Sequence, residues 1–177
     1  MTMEITFTKD TPIYRHDAAY AREHDELPQY RAAYRANIAC KEAIETAIGD
    51  NYRDNRLNFQ AAMEAVSTDF SMERIEYVLA NTVQTKDWDA RISDKNKQWA
   101  KTVAVIPNVD VWSGDRNWYF VIDQVHPGLT DLFVTHFRKE LERMPKEKRP
   151  SVMDKLSKPL KGSDVADRIG KDKEQVL

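Results

Sequence analysis

The sequence has a single cysteine, Cys40, among 177 residues. That excludes an internal disulfide framework and a zinc site built on paired cysteines, and it fits a reducing compartment. Glycine (5) and proline (7) are scarce, which favours long helices over a turn-rich β architecture. No run approaches the roughly 18 apolar residues of a membrane-spanning helix. The opening Met1-Thr2-Met3-Glu4 has no basic segment followed by an apolar one, so no signal peptide is expected. Charge of one sign is missing too: 27 Lys+Arg against 29 Asp+Glu leave a net charge of −2. A general nucleic-acid binder normally shows a strongly basic face. These absences lead to the expectation of a cytoplasmic protein with one folded domain. A chain of this length suits a single domain and should bury roughly 70% of its unfolded surface.

What is present is helical periodicity. Ala33, Ala36 or Asn37, Cys40, Ile44 and Ile48 recur at threes and fours, from Pro28 in a first helical turn to Gly49 as a C′ stop. The small residues at the start of that stripe predict close approach of another helix at Ala36 and Cys40. Asp17 to Glu26 and Asn58 to Val66 read as short helices. Ser71 is placed to cap a helix with Ile75, Val78, Leu79 and Thr82 inward. A last helix runs from Pro127-Gly128 to Met144. Residues 3–8 alternate like a short strand. Thr102 to Ile106 and Trp118 to Ile122 are β-branched and aromatic and predict an antiparallel hairpin at about 102–122. The expected fold is therefore mainly α (α+β): four to six helices over 1–144 with that small hairpin. A tail over 145–177, with nine Lys/Arg, six Asp/Glu and no aromatics, reads as charged and loosely attached.

Catalytic patterns do not stand out. The four histidines (16, 24, 126 and 136) form no paired metal spacing. His136 reads as a core-edge residue, and His126 as a cap or orienting group before Pro127. Asp87, Asp89 and Asp94 resemble a cation site only faintly, and turn chemistry around Trp88 is the plainer reading. Cys40 reads as a small hydrophobe. No catalytic residue, metal or cofactor is expected. All four tryptophans (88, 99, 112 and 118) fall within 86–125. Two or three of their rings belong to a core of this size, and the surplus points to a contact surface, because Trp, Tyr and Arg dominate interface hot spots. The candidate partner-binding residues are Trp88, Arg91, Trp112, Arg116 and Trp118.

Several blocks carry a family resemblance. They are Tyr14-x-x-Asp17-Ala-Ala-Tyr20-Ala-Arg-Glu, Tyr34-x-Ala36-Asn37-Ile38-Ala39-Cys40-Lys41-Glu42-Ala43-Ile44 and Tyr77 to Gln84. Lys86-Asp87-Trp88-Asp89-x-Arg91-Ile92-Ser93, Asn96-Lys97-x-Trp99-Ala100-Lys101-Thr102 and His126-Pro127-Gly128-Leu129 continue it. From about residue 14 to 144 the chain resembles a bacterial family of unknown function common in clostridial genomes and their mobile elements. The resemblance implies no enzyme chemistry. It implies a type II anti-CRISPR role, that is, stoichiometric inhibition of the guide-directed nuclease Cas9 or of its guide-RNA complex. The near-neutral charge makes shape-specific protein contact the expected mode rather than mimicry of DNA. The alternatives are a mobile-element module that binds nucleic acid by basic and aromatic side chains, and, more weakly, an enzyme using His126 with Asp87 and Asp89.

Overall fold

The computed structural model describes residues 9–106 and 117–144. Among these the fold is mainly helical, with six α-helices and one small antiparallel hairpin. Helix α1 (Ala18–Glu23) is capped by Asp17, whose Oδ1 accepts the Tyr20 amide at 2.9 Å. It closes where Asp25 turns left-handed (φ 57°) and the Glu26 amide donates back to the Ala21 carbonyl at 2.8 Å, a Schellman ending. Helix α2 (Leu27–Asp50) starts with Pro28 in its first turn, as expected. It does not stop at Gly49. It runs on to Asp50, and Asn51 caps it by donating from Nδ2 to the Ala47 carbonyl at 2.8 Å.

Helix α3 (Phe59–Ser67) and helix α4 (Met72–Thr85) begin at Asn58 and Ser71, whose side chains accept the Ala61 and Arg74 amides. The Ser71 cap follows the sequence pattern. Helix α5 (Asp94–Ala100) is unforeseen by that pattern, though Ser93 caps it in the same way. Helix α6 (Pro127–Arg143) completes the set. Every residue of α4 from Arg74 to Val83 is buried. Its partners are α2, α5 and the 3₁₀ turn Trp118–Phe120, while α3 lies on α2. The buried stripe Ile75, Val78, Leu79 and Thr82 is as the spacing predicts.

The predicted hairpin at 102–122 is absent from the described residues of that stretch, and the reason is physical. Thr102 to Ile106 leave α5 in a turn, with the Val103 amide donating to the Ala100 carbonyl at 3.1 Å. Side chains on α4 then take the backbone groups that a ladder would have used. Tyr77 Oη accepts the Ile106 amide at 3.1 Å, Gln84 Nε2 donates to the Val103 carbonyl at 3.0 Å, and Thr82 Oγ1 accepts the Ile122 amide at 3.0 Å. Val103, Val121 and Ile122 are buried. The β-branched run marks burial against a helix, not a sheet. The actual hairpin pairs β1 (Tyr52–Arg53) with β2 (Arg56–Leu57). Asp54 (φ 53°) and Asn55 (φ 62°) are both left-handed, as a type I′ turn requires. The strand expected at 3–8 and the charged tail at 145–177 lie outside the described residues.

Ala36 (1% exposed) and Cys40 (0%) lie on the buried face of α2, as the small-residue stripe predicts. Interiors this close-packed resist added volume. Ala36→Leu is expected to cost about 1–3 kcal/mol by overpacking. A thermal melt checks it: an unchanged midpoint would mean that the position can absorb three more carbon atoms.

Candidate functional site

The sequence after α4 builds a tight turn. The Asp89 amide donates to the Lys86 carbonyl at 3.0 Å, and the Ile92 amide to the Asp89 carbonyl at 3.1 Å. Ile92, 2% exposed, anchors the turn in the core. Asp89 Oδ1 accepts both the Arg91 amide (2.9 Å) and Arg91 Nε (3.0 Å), and Oδ2 accepts Nη2 at 3.0 Å. This bidentate fork is the strong form of a carboxylate–guanidinium pair. The Arg91 side chain and amide hold the Asp89 carboxyl down to about 2, below the usual carboxylate range. With Asp89 and Ile92 facing in, Trp88 is left at the outer edge of a pinned turn, 68% exposed.

Trp118 is presented differently. Asn81 Nδ2 on α4 donates to the Asn117 carbonyl at 3.1 Å, and Asn117 Nδ2 donates to the Ile106 carbonyl at 2.8 Å. The 3₁₀ turn that follows sends its three aromatic rings in three directions. Phe120 is buried against Tyr77, Tyr119 stacks on Tyr34 with centroids 4.0 Å apart, and Trp118 is 47% exposed. Both exposed tryptophans are thus carried by α4, one just beyond its C-terminus and one through Asn81.

Of the five residues singled out from the sequence, three are described. Trp88, Arg91 and Trp118 are all exposed, and Arg91 is held by Asp89, the residue after Trp88. Trp112 and Arg116 lie outside the described residues. Of the two or three core tryptophans expected, the described residues show one and leave Trp112 outside them. Among the described residues only Trp99 is partly buried, edge-on to Phe137 at 6.2 Å. An open groove beside the Trp88 turn, about 620 Å³ together with the open solvent above it, is lined by Gln84, Asp87, Lys97, Lys101, Val83 and Val103. The sequence reading did not find it, because its lysines sit on the helix at 94–100 that the reading missed.

Of the residues weighed as catalysts, Asp87 lines the open groove and the others have structural roles. His126 Nδ1 accepts the Gly128 amide at 3.0 Å as the cap of α6. A Cβ at position 128 would lie 3.2 Å from that nitrogen, so glycine permits the close approach. His136 is partly buried against Phe59, with centroids 5.2 Å apart. Burial pushes the Cys40 thiol far above its ordinary range, although the Arg74 guanidinium opposes this. Among the described residues no group of three His, Cys, Asp or Glu side chains is placed to hold a metal.

A second feature is only partly visible in the sequence. Five tyrosines (14, 30, 34, 77 and 119) line a narrow slot between the chain before α1, helix α2 and residues 106 and 117. The sequence reading had only Tyr30 and Tyr34, as rings buried with their hydroxyls outward. Their i,i+4 spacing was the available signal, but Tyr14, Tyr77 and Tyr119 reach the slot from elsewhere in the chain.

One comparison with known proteins is informative. Residues 13–142 match the family described as "Protein of unknown function (DUF3849)". The chain belongs to that family. Its span takes in all six helices except the last residue of α6, so the family's defining region is this helical unit. No curated protein and no solved structure matches the chain.

Proposed function

We propose that this member of the family is a non-enzymatic protein-binding inhibitor, with a Cas9-type nuclease, alone or with its guide RNA, as its partner. The observation that carries the binding reading is Trp88. A tryptophan 68% exposed costs solubility and contributes nothing to the core. Here it sits on a turn pinned by a buried isoleucine and a bidentate ion pair. An exposed aromatic and an exposed arginine on one pinned turn are the composition of an interface hot spot. The ion pair of Asp89, the capping role of His126 and the burial of Cys40 support a protein that acts by contact. The nuclease as partner comes from the family resemblance alone, and it would place the protein in the cytoplasm.

Lys97 and Lys101, which line a groove with Asp87 on the turn that carries Trp88, favour one second reading, a nucleic-acid module in which a base stacks on the indole. Salt separates the two. Phosphate binding falls by orders of magnitude between low and moderate salt, whereas an aromatic-centred protein interface falls far less.

Trp88→Ala and Trp118→Ala are expected to keep the melting temperature of the parent. Each should weaken inhibition of plasmid cleavage by about 30-fold, the effect of losing roughly 2 kcal/mol of binding. Trp99→Ala, by contrast, should lower stability. If every loss of inhibition tracks a loss of stability, the binding face lies elsewhere.

A further inference from the structure

The tyrosine slot has room for one very small molecule. Its free space is about 20 Å³, and a single water needs roughly 10–15 Å³. What it can hold is decided by the polar atoms around it.

Three of these atoms have a hydrogen bond still to make. Asn117, 3% exposed, has its amide orientation fixed by the bond from Nδ2 to the Ile106 carbonyl at 2.8 Å. Its Oδ1 is enclosed and has no hydrogen-bond partner. The buried Tyr77 hydroxyl accepts the Ile106 amide at 3.1 Å, which leaves its own hydrogen to donate. Asn117 and Tyr77 both line the slot, and they hold the two polar groups of one residue, Ile106. Arg15 is paired with Glu73 through Nη2 at 2.6 Å, while its Nη1 is enclosed and has no partner. The Arg15 charge is close enough to act on the Tyr77 hydroxyl.

One acceptor therefore lacks a donor, and two donors lack an acceptor. A metal cation would suit Asn117 but meets the charge of Arg15. An anion would suit Arg15 and Tyr77 but meets the Asn117 oxygen, with the Asp17 side chain also at the slot. Burial raises the pKa of Tyr77 and of Tyr119, so these surroundings penalise an ion of negative charge. An apolar molecule would leave all three bonds unmade, and unmade buried bonds are costly.

We propose that the slot is the site of one buried water, which donates to Asn117 Oδ1 and accepts from Tyr77 Oη and Arg15 Nη1. Water is neutral, it both donates and accepts, and a buried water typically makes about three hydrogen bonds. Its partners come from three parts of the chain. Arg15 belongs to the segment before α1, Tyr77 to α4, and Asn117 to the start of the turn that carries Trp118. The water thus ties the Trp118 turn to the helix and to the segment before α1. The argument rests on the slot alone and stands whether or not the protein binds a nuclease.

The test is a crystal structure of the full-length protein at a resolution that shows ordered waters, with further crystals soaked in bromide and in rubidium. We expect one peak in the slot, within about 3.2 Å of Asn117 Oδ1 and of at least one of Tyr77 Oη and Arg15 Nη1. No anomalous scattering should appear there after either soak. A slot without density overturns the proposal, as does a peak that leaves Asn117 Oδ1 unbonded. An anomalous peak from bromide or rubidium overturns it too, because the occupant would then be an ion.

Discussion

Replacing Arg74 with methionine is expected to lower stability by about 3–5 kcal/mol, the scale of breaking a buried charged network. Arg74 is 2% exposed although it carries a full charge. Its guanidinium donates to four oxygens: the carbonyls of Thr11 (3.0 Å), Pro12 (3.1 Å) and Ala33 (3.4 Å), and Asn37 Oδ1. Burial lowers its pKa, but a guanidinium stays protonated at any pH where the protein folds. Those bonds join three parts of the chain, namely the segment before α1, helix α2 and helix α4. Methionine fills much of the volume and offers no donor, so the enclosed oxygens lose their partners at roughly 1–3 kcal/mol each where water cannot replace it. Urea unfolding measures the effect. A midpoint within experimental error of the parent would show that the enclosed oxygens find other donors.

Asn96→Leu should cost about 2–4 kcal/mol for a related reason. Asn96 is fully buried where α5 meets α6. Its Nδ2 donates to Asp131 Oδ1 (2.6 Å), the Asp131 carbonyl (3.1 Å) and Thr135 Oγ1 (3.0 Å), and its Oδ1 accepts Arg138 Nε at 2.7 Å. Asp131 Oδ1 also accepts the Ser93 amide at 2.9 Å, which fixes the N-terminus of α5. Leucine of similar volume leaves a carboxylate and a guanidinium without their shared partner, and polar groups in a half-satisfied network are costly. The same unfolding experiment reads it. The Trp88 turn immediately precedes α5, so inhibition should weaken along with stability. A variant as stable as the parent would mean that the α5–α6 contact is held by apolar packing alone.

Much of this architecture is legible in the sequence because helices announce themselves twice. The stripe Ala33–Ile48 gives α2 its buried face and Ser71 gives α4 its starting point, while Asp17 and Asn58, read as the first residues of short helices, are the residues that cap them. α5 has only seven residues, with Lys95, Lys97 and Gln98 diluting its apolar signal. A stripe needs more turns than that to show. The false hairpin has the opposite cause. Thr102–Ile106 and Trp118–Ile122 carry strand-like side chains, but β propensity reports fit to a half-buried surface, and α4 supplies that surface here. The true hairpin has two residues per strand, too few for alternation, and only Asp54-Asn55 hints at it.

The candidate site divides in the same way. Exposed Trp88 and Arg91 are readable because four tryptophans exceed what the core needs. The tyrosine slot is not readable, since its five rings are up to about a hundred residues apart and meet only after α2 and α4 have packed. The buried Asn117 acceptor gives no local signal at all.

The proposed function requires tight, salt-tolerant contact with a Cas9-type nuclease. Size-exclusion chromatography of the purified protein with a panel of purified Cas9 proteins, with and without guide RNA, at about 0.15 M and 0.5 M salt tests it most directly. A net charge of −2 supplies little long-range field. The account therefore predicts co-elution of a one-to-one complex with at least one Cas9 at both salt concentrations, with affinity about 30-fold weaker in Trp88→Ala. No complex with any Cas9, or a complex with nucleic acid alone that dissolves at the higher salt, would contradict it.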